Sequence, residues 1–335
     1  MKMGDMRNFL AAAAVVALAA AGCSQQTDEK TKTASKEIEV YEMPPAEVVV
    51  DKKAIPSFEE FKATVYKEPF PGGVYIVNGD TPIATDEDLE NFYSNVVALK
   101  FEANYDTAIV IDAPGGRIAG WTDGKQKALS YCVSRAFGER YAAVAETMRQ
   151  AAAAWEAVAD VRFVHDQTAD ANCNAANGAV VFDVRPVDVE GRYYARAFFP
   201  RNARPERNIL IDASSFRLNP ADKLQLAGIL RHELGHVLGF RHEHTRPEAG
   251  ACFEDADWKP VGDGNYDAFS VMHYPQCNGL GDWSLTLTDG DKLGAACFYG
   301  SVPGSPFDRE RCLPLSKRLS VPNAKPYTAD VNALK

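Results

Sequence analysis

The sequence has no surplus of positive charge: 36 Lys and Arg stand against 46 Asp and Glu, for a formal net charge of -10. Nucleic acid is therefore not an expected partner, because holding it depends on cations that neutralise phosphates. The acidic balance serves solubility instead. No two cysteines are spaced C-x-x-C, which argues against a zinc cage built from thiolates. No internal repeat is visible. The apolar run from Phe9 to Ala21 is too short for the roughly 20 residues that a comfortable membrane span requires.

That short run has another use. Lys2 and Arg7 precede it and Ala20-Ala21-Gly22-Cys23 closes it, the charged start, apolar core and small-residue end of an export signal. Small residues followed at once by cysteine resemble a bacterial lipobox, with Ala20 where leucine is usual. The resemblance implies an acylated Cys23 and an anchor in the cell envelope, in a bacterium the outer membrane. A plain signal peptide is the alternative. Six further cysteines remain: Cys132, Cys173, Cys252, Cys277, Cys297 and Cys312. An even number in an exported chain predicts three disulfides, with connectivity left open, although free buried thiols would also fit.

Composition divides the chain into a signal (1–23), a polar tether (24–37), a smaller leading segment (38–124), a main domain (125–300) and a proline-rich tail (301–335). In the leading segment, patterning predicts helices at Phe58–Tyr66 and Asp86–Asn95 and strands at Gly73–Val77 and Thr107–Asp112. In the main domain it predicts strands at Leu129–Val133, Val161–His165, Ala179–Val184, Tyr194–Phe199 and Asn208–Asp212. Helices are expected at Arg140–Ala159, Ala221–Gly239 and Asp289–Phe298. Strands followed by a helix that carries chemistry make an α+β domain.

The chemistry sits in His232-Glu233-Leu234-Gly235-His236-Val237-Leu238-Gly239-Phe240-Arg241-His242. Residues four apart share a helix face, so His232 and His236 can hold one ion. Gly239 ends the helix by taking a left-handed conformation, and the turn returns His242 as a third ligand. Three neutral imidazoles leave zinc an open position for water, whose pKa the metal lowers towards about 7. Glu233, beside the first ligand, would take that water's proton and pass it to a leaving amine. Leu230, Leu234, Val237 and Leu238 read as core residues of the same helix.

This spacing, with Ser270-Val271-Met272-His273-Tyr274 as a later Met-turn, resembles the metzincin zinc peptidases. The run from His242-Glu243 to Arg246 and the Ser-x-Met-His-Tyr turn look like the astacin branch. Glu248-Ala249 stands where that branch has Asp-Arg, which points towards matrixin-like relatives. The resemblance implies a metzincin-type catalytic domain of twisted mixed sheet, active-site helix and Met-turn. It implies Met272 packed beneath the zinc, and Tyr274 as an extra ligand that swings to stabilise the oxyanion. It implies Glu243 in a polar network under the site. Many astacins are silenced by a propeptide aspartate; Val77-Asn78-Gly79-Asp80 makes Asp80 the matching candidate for a latent-state ligand, although Gly-Asp after a strand is also a common turn.

His244 and His273 read as hydrogen-bonded structural residues, and His165 as the end of a strand. Tyr193–Pro200 is the candidate rim strand to which an extended peptide would add. The expected protein is an exported, monomeric zinc endopeptidase acting on peptide or protein substrates. A non-catalytic surface module that keeps zinc as structure, and a zinc hydrolase of some non-protein amide, are the rival readings.

Overall fold

The computed structural model describes residues 57–98, 109–252, 257–261 and 266–307. All of them lie in one compact unit that runs from Pro56 onwards. The export signal, Cys23, the tether and most of the tail lie outside the described residues.

The leading segment begins with α1 (Phe58–Thr64), whose Ser57 cap and Glu60 satisfy each other's backbone N–H groups. β1 (Tyr66–Lys67), β2 (Tyr75–Val77) and β3 (Thr81–Ile83) form an antiparallel sheet in that order. α2 (Asp86–Ala98) follows, with three acidic residues in its first turn, where the helix dipole favours them. Tyr75, Val77, Ile83, Leu89 and Phe92 close a small core against Phe58 and Phe61.

A strand ahead of residue 125, β4 (Val110–Asp112), is fully buried. It is followed by β5 (Leu129–Val133), α3 (Tyr141–Glu156), β6 (Phe163–His165), β7 (Phe182–Val187), β8 (Ala195–Arg196) and β9 (Asn208–Asp212). Then come α4 (Leu226–Val237), β10 (Trp258–Pro260) and α5 (Asp289–Tyr299). The main sheet has the order β6-β5-β7-β9-β8, parallel except for β8, an antiparallel edge strand. β4 pairs with β10, and the Asp112 N–H donates to the Gly239 carbonyl at 2.8 Å, so β4 is tied to the end of α4. The domain is thus a mixed α+β fold with the histidine-bearing helix packed on its core.

α3 shows why the helix forms there. Val144, Met148, Ala151, Ala152 and Trp155 recur at helical spacing and are all buried. Trp155 packs against Phe240, and its Nε1–H donates to the Arg231 carbonyl at 2.9 Å, which fixes α3 to α4. Three elements depart most from the patterning, the first being β7, which runs Phe182–Val187 rather than Ala179–Val184. α4 starts at Leu226 rather than Ala221, because the Asn219 side chain accepts from Ala221 N–H and Gln225 folds back onto the Asn219 and Asp222 carbonyls. Those bonds satisfy the backbone as a turn. β8 is only two residues long, and beyond it the Phe199 N–H is taken by Asn202 Oδ1 instead of a neighbouring strand.

Two disulfides are described, Cys132–Cys173 and Cys252–Cys277. Cys297 is also disulfide-bonded; Cys312 lies outside the described residues.

Candidate metal centre

His232 and His236 lie on one face of α4, four residues apart, as the periodicity requires. The helix stops at Gly239, whose φ of 97° suits glycine and whose Cβ, if present, would lie 2.6 Å from the Ala119 carbonyl oxygen. The chain then reverses and brings His242 back to the other two rings.

Each helical ring is held from behind. His232 Nδ1–H donates to the Val271 carbonyl at 2.8 Å and His236 Nδ1–H to the Phe240 carbonyl at 2.7 Å. That fixes the tautomer and leaves each Nε2 lone pair facing the centre. Nε2 of His232 and of His242 are 3.3 Å apart. Two nitrogens on a tetrahedral zinc, each about 2.0–2.1 Å from it, would be separated by about 3.3–3.4 Å.

Asp80 completes the group. It sits in the loop between β2 and β3, and one nitrogen from each of the three histidines and one Asp80 oxygen all lie within 4.8 Å of one another. Asp80 Oδ2 is 3.3 Å from His232 Nε2, and Oδ1 is 3.1 Å from His242 Nε2 and 3.8 Å from His236 Nε2. Lone pairs and a carboxylate converge here, and His236 Nε2, Asp80 Oδ1 and Glu233 Oε2 have no hydrogen-bond partner among the described residues. Such a buried acceptor set fits a cation. The residues therefore suit a zinc ion held by three imidazoles, with the carboxylate on the remaining side.

The electrostatics agree. Burial works against ionised Asp80, but the surrounding imidazoles, His242 foremost, outweigh it and hold the carboxyl well below its usual range. Burial, and then the neighbouring Asp80 charge, push Glu233 well above the usual carboxylate range. Burial and His242 hold His236 well below the ordinary imidazole value.

Met272 is fully buried against Gly235 of the histidine-bearing helix. Gly235 makes room for it: a Cβ at that position would lie 2.3 Å from the Met272 Sδ. The Tyr274 ring stacks on His232, and its hydroxyl donates to Asp80 Oδ2. Gly79 (φ 96°) holds a backbone conformation that strains other residues, and a Cβ there would crowd that ring at 3.1 Å. The Asn-Gly-Asp run is thus a hairpin turn and also the means of placing Asp80 on the histidines.

Glu243 is fully buried, accepts from Asp267 N–H at 3.1 Å and pairs with Arg246 at 3.4 Å. His244 Nδ1 accepts from Tyr274 N–H, and His273 Nε2 bonds the Tyr266 hydroxyl at 2.7 Å, so both histidines have structural partners. His165 ends β6 and bonds Asp170, as a strand-end residue would. One contact has no local signature in the sequence: Glu68 of the leading segment pairs with Arg196 of β8, 128 residues away.

The Matrixin family model matches residues 121–249, and that of Astacin (Peptidase family M12A) matches 221–282. The chain is 35% identical over 102 residues to zinc metalloproteinase nas-2 of Caenorhabditis elegans, a match that covers 25% of this chain and 30% of that relative's length. Among solved structures, High choriolytic enzyme 1, a hatching enzyme zinc-protease from Oryzias latipes (medaka fish), aligns at 18% identity and a TM-score of 0.34, over 55% of this chain and 98% of that one. Residues 121–282, with their three-histidine zinc site and adjacent Glu233, are a metzincin zinc metalloendopeptidase domain of the matrixin and astacin kind.

Proposed function

We propose that the whole protein is an exported, envelope-anchored zinc endopeptidase, described here in a latent state. The observation that supports this is Asp80 lying where three imidazoles would leave a zinc ion open. The export reading agrees with the disulfides, which persist outside reducing compartments. Acylation at Cys23 would supply the anchor, 24–37 the tether and the leading segment, from 38 to about 108 rather than to 124, the propeptide-like part. The catalytic unit is taken to begin near Ile109, because β4 belongs to its packing. It acts as a monomer on peptide or protein substrates.

Zinc, when bound, supplies a Lewis acid that acidifies water and polarises a carbonyl. The chain's own groups do the rest. His232, His236 and His242 hold the ion, oriented by the Val271 and Phe240 carbonyls. Glu233 takes the proton of the attacking water on its carboxylate and hands it to the leaving amine. The Tyr274 hydroxyl, released from Asp80, donates to the oxyanion that develops on the carbonyl. β8, at the sheet edge, offers backbone groups to an extended peptide. Removing Asp80's segment opens the site and would also free the enzyme from its lipid.

One observation favours a second reading. With Asp80 in place the donor set numbers four, as in closed structural zinc sites. A leading segment that never leaves would make the protein a zinc-stabilised surface module. Asp80→Ala in the full chain separates the two. Latency predicts that casein cleavage rises severalfold with zinc retained; a zinc-replete variant that stays inert supports the module.

A further inference from the structure

The leading segment enters the cleft with a second carboxylate, and the site that receives it is built. Glu68 Oε1 accepts from Arg196 Nε at 2.6 Å and Oε2 from Arg196 Nη2 at 2.8 Å, a two-pronged pair. The Tyr193 hydroxyl donates to Glu68 Oε1 at 2.6 Å, and Arg196 Nη1 donates to Asn208 Oδ1 at 2.8 Å. Arg196 is 3% exposed and the Glu68 side chain is fully enclosed. Among the described residues Glu68 is the one carboxylate that Arg196 pairs with.

Arg196 lies on the edge strand β8, and Tyr193 lines a cavity of about 130 Å³ together with Asp80, His232 and Glu233. The guanidinium charge also bears on Glu233. The arginine is therefore a neighbour of the reacting groups. When Asp80 and its segment withdraw, Glu68 withdraws with them, and a largely desolvated guanidinium and the phenol that lines the cavity are left without their carboxylate. Leaving such a cation unpaired is costly, so an incoming carboxylate is strongly favoured.

We propose that Arg196, with Tyr193 and Asn208, is a specificity site that takes an acidic side chain of the substrate peptide, and that Glu68 fills it in the substrate's stead. This rests on the peptidase reading above. The ligand is a side chain rather than a chain end, because Glu68 itself meets the arginine with a side-chain carboxylate from within a continuous chain.

The test uses the full chain carrying Glu68→Ala and Asp80→Ala, and peptides amidated at the C-terminus that differ only in Glu against Gln at one position near the cut. The expected result is a Glu over Gln preference in kcat/KM of at least about tenfold, the weight of hydrogen bonds to a charged group. Adding Arg196→Gln abolishes that ratio; comparing two peptides on one variant cancels any general effect of the arginine on turnover. Equal cleavage of the two peptides by the double variant overturns the proposal.

A second readout does not need turnover. Sodium propionate raises the melting temperature of the Glu68→Ala chain above the effect of equal sodium chloride, propionamide does not, and Arg196→Gln removes the response. If no peptide is cut by any form, the peptidase reading fails, and the melting curves alone decide whether Arg196 is a carboxylate receptor. No propionate-specific shift in that case overturns the proposal too.

Discussion

The three ligand rings owe their readiness to residues that never touch the ion. Val271 and Phe240 carbonyls orient two of them, and Met272 packs against their helix only because residue 235 has no side chain. Gly235→Ala should therefore cost about 1–3 kcal/mol through overpacking against Met272 and Trp155. Urea unfolding measures the loss, and the zinc affinity should fall with it; an unchanged midpoint and affinity would remove Met272's supporting role. His273 makes a pH prediction. Burial lowers its pKa, so the folded ring resists a proton that the unfolded chain accepts near pH 6.5. The stability tied to this ring is present above that pH and is lost as pH falls through it. The melting-temperature advantage of the wild type over His273→Gln, both zinc-saturated, should shrink between pH 7.5 and 5; an advantage constant across that range contradicts this.

At the scale of elements, β4 matters more than its three residues suggest. It pairs with β10, bonds the Gly239 turn, and is followed by Trp121, whose Nε1–H donates to the Val237 carbonyl at 2.7 Å. A chain begun at Lys125 should lose zinc affinity and cooperative melting, while one begun at Ile109 should keep both; equal behaviour would show that β4 is dispensable. The histidine helix was legible in the sequence because one period of 3.6 residues places His232, Glu233 and His236, and a glycine marks the turn to His242. Leu129–Val133 and Asn208–Asp212 were legible as buried β runs with the bounds observed. The start of α4 and the length of β8 were not, because Gln225 and Asn202 bear on them by side-chain bonds that compete with regular structure. The Glu68–Arg196 pair was invisible because nothing local links residues 128 apart.

For the whole molecule, the leading segment and the catalytic unit meet through charge. Asp80 reaches the histidines and Glu68 reaches Arg196, both in buried surroundings, so segment and cleft are held by carboxylates that the enzyme's own cations would otherwise offer to other ligands. Such contacts are strong in place and expensive to break singly, which suits a segment that leaves as a unit. The central claim is that a zinc ion on His232, His236 and His242, with Glu233 as the proton acceptor, cuts peptide bonds. The direct measurement is zinc content together with casein cleavage by the Asp80→Ala chain, with and without Glu233→Ala. The account predicts about one zinc per chain in both, cleavage by the first, and a fall of about 100-fold or more in the second, the usual weight of a general base. Folded protein without zinc, or equal cleavage with Glu233 removed, would contradict it.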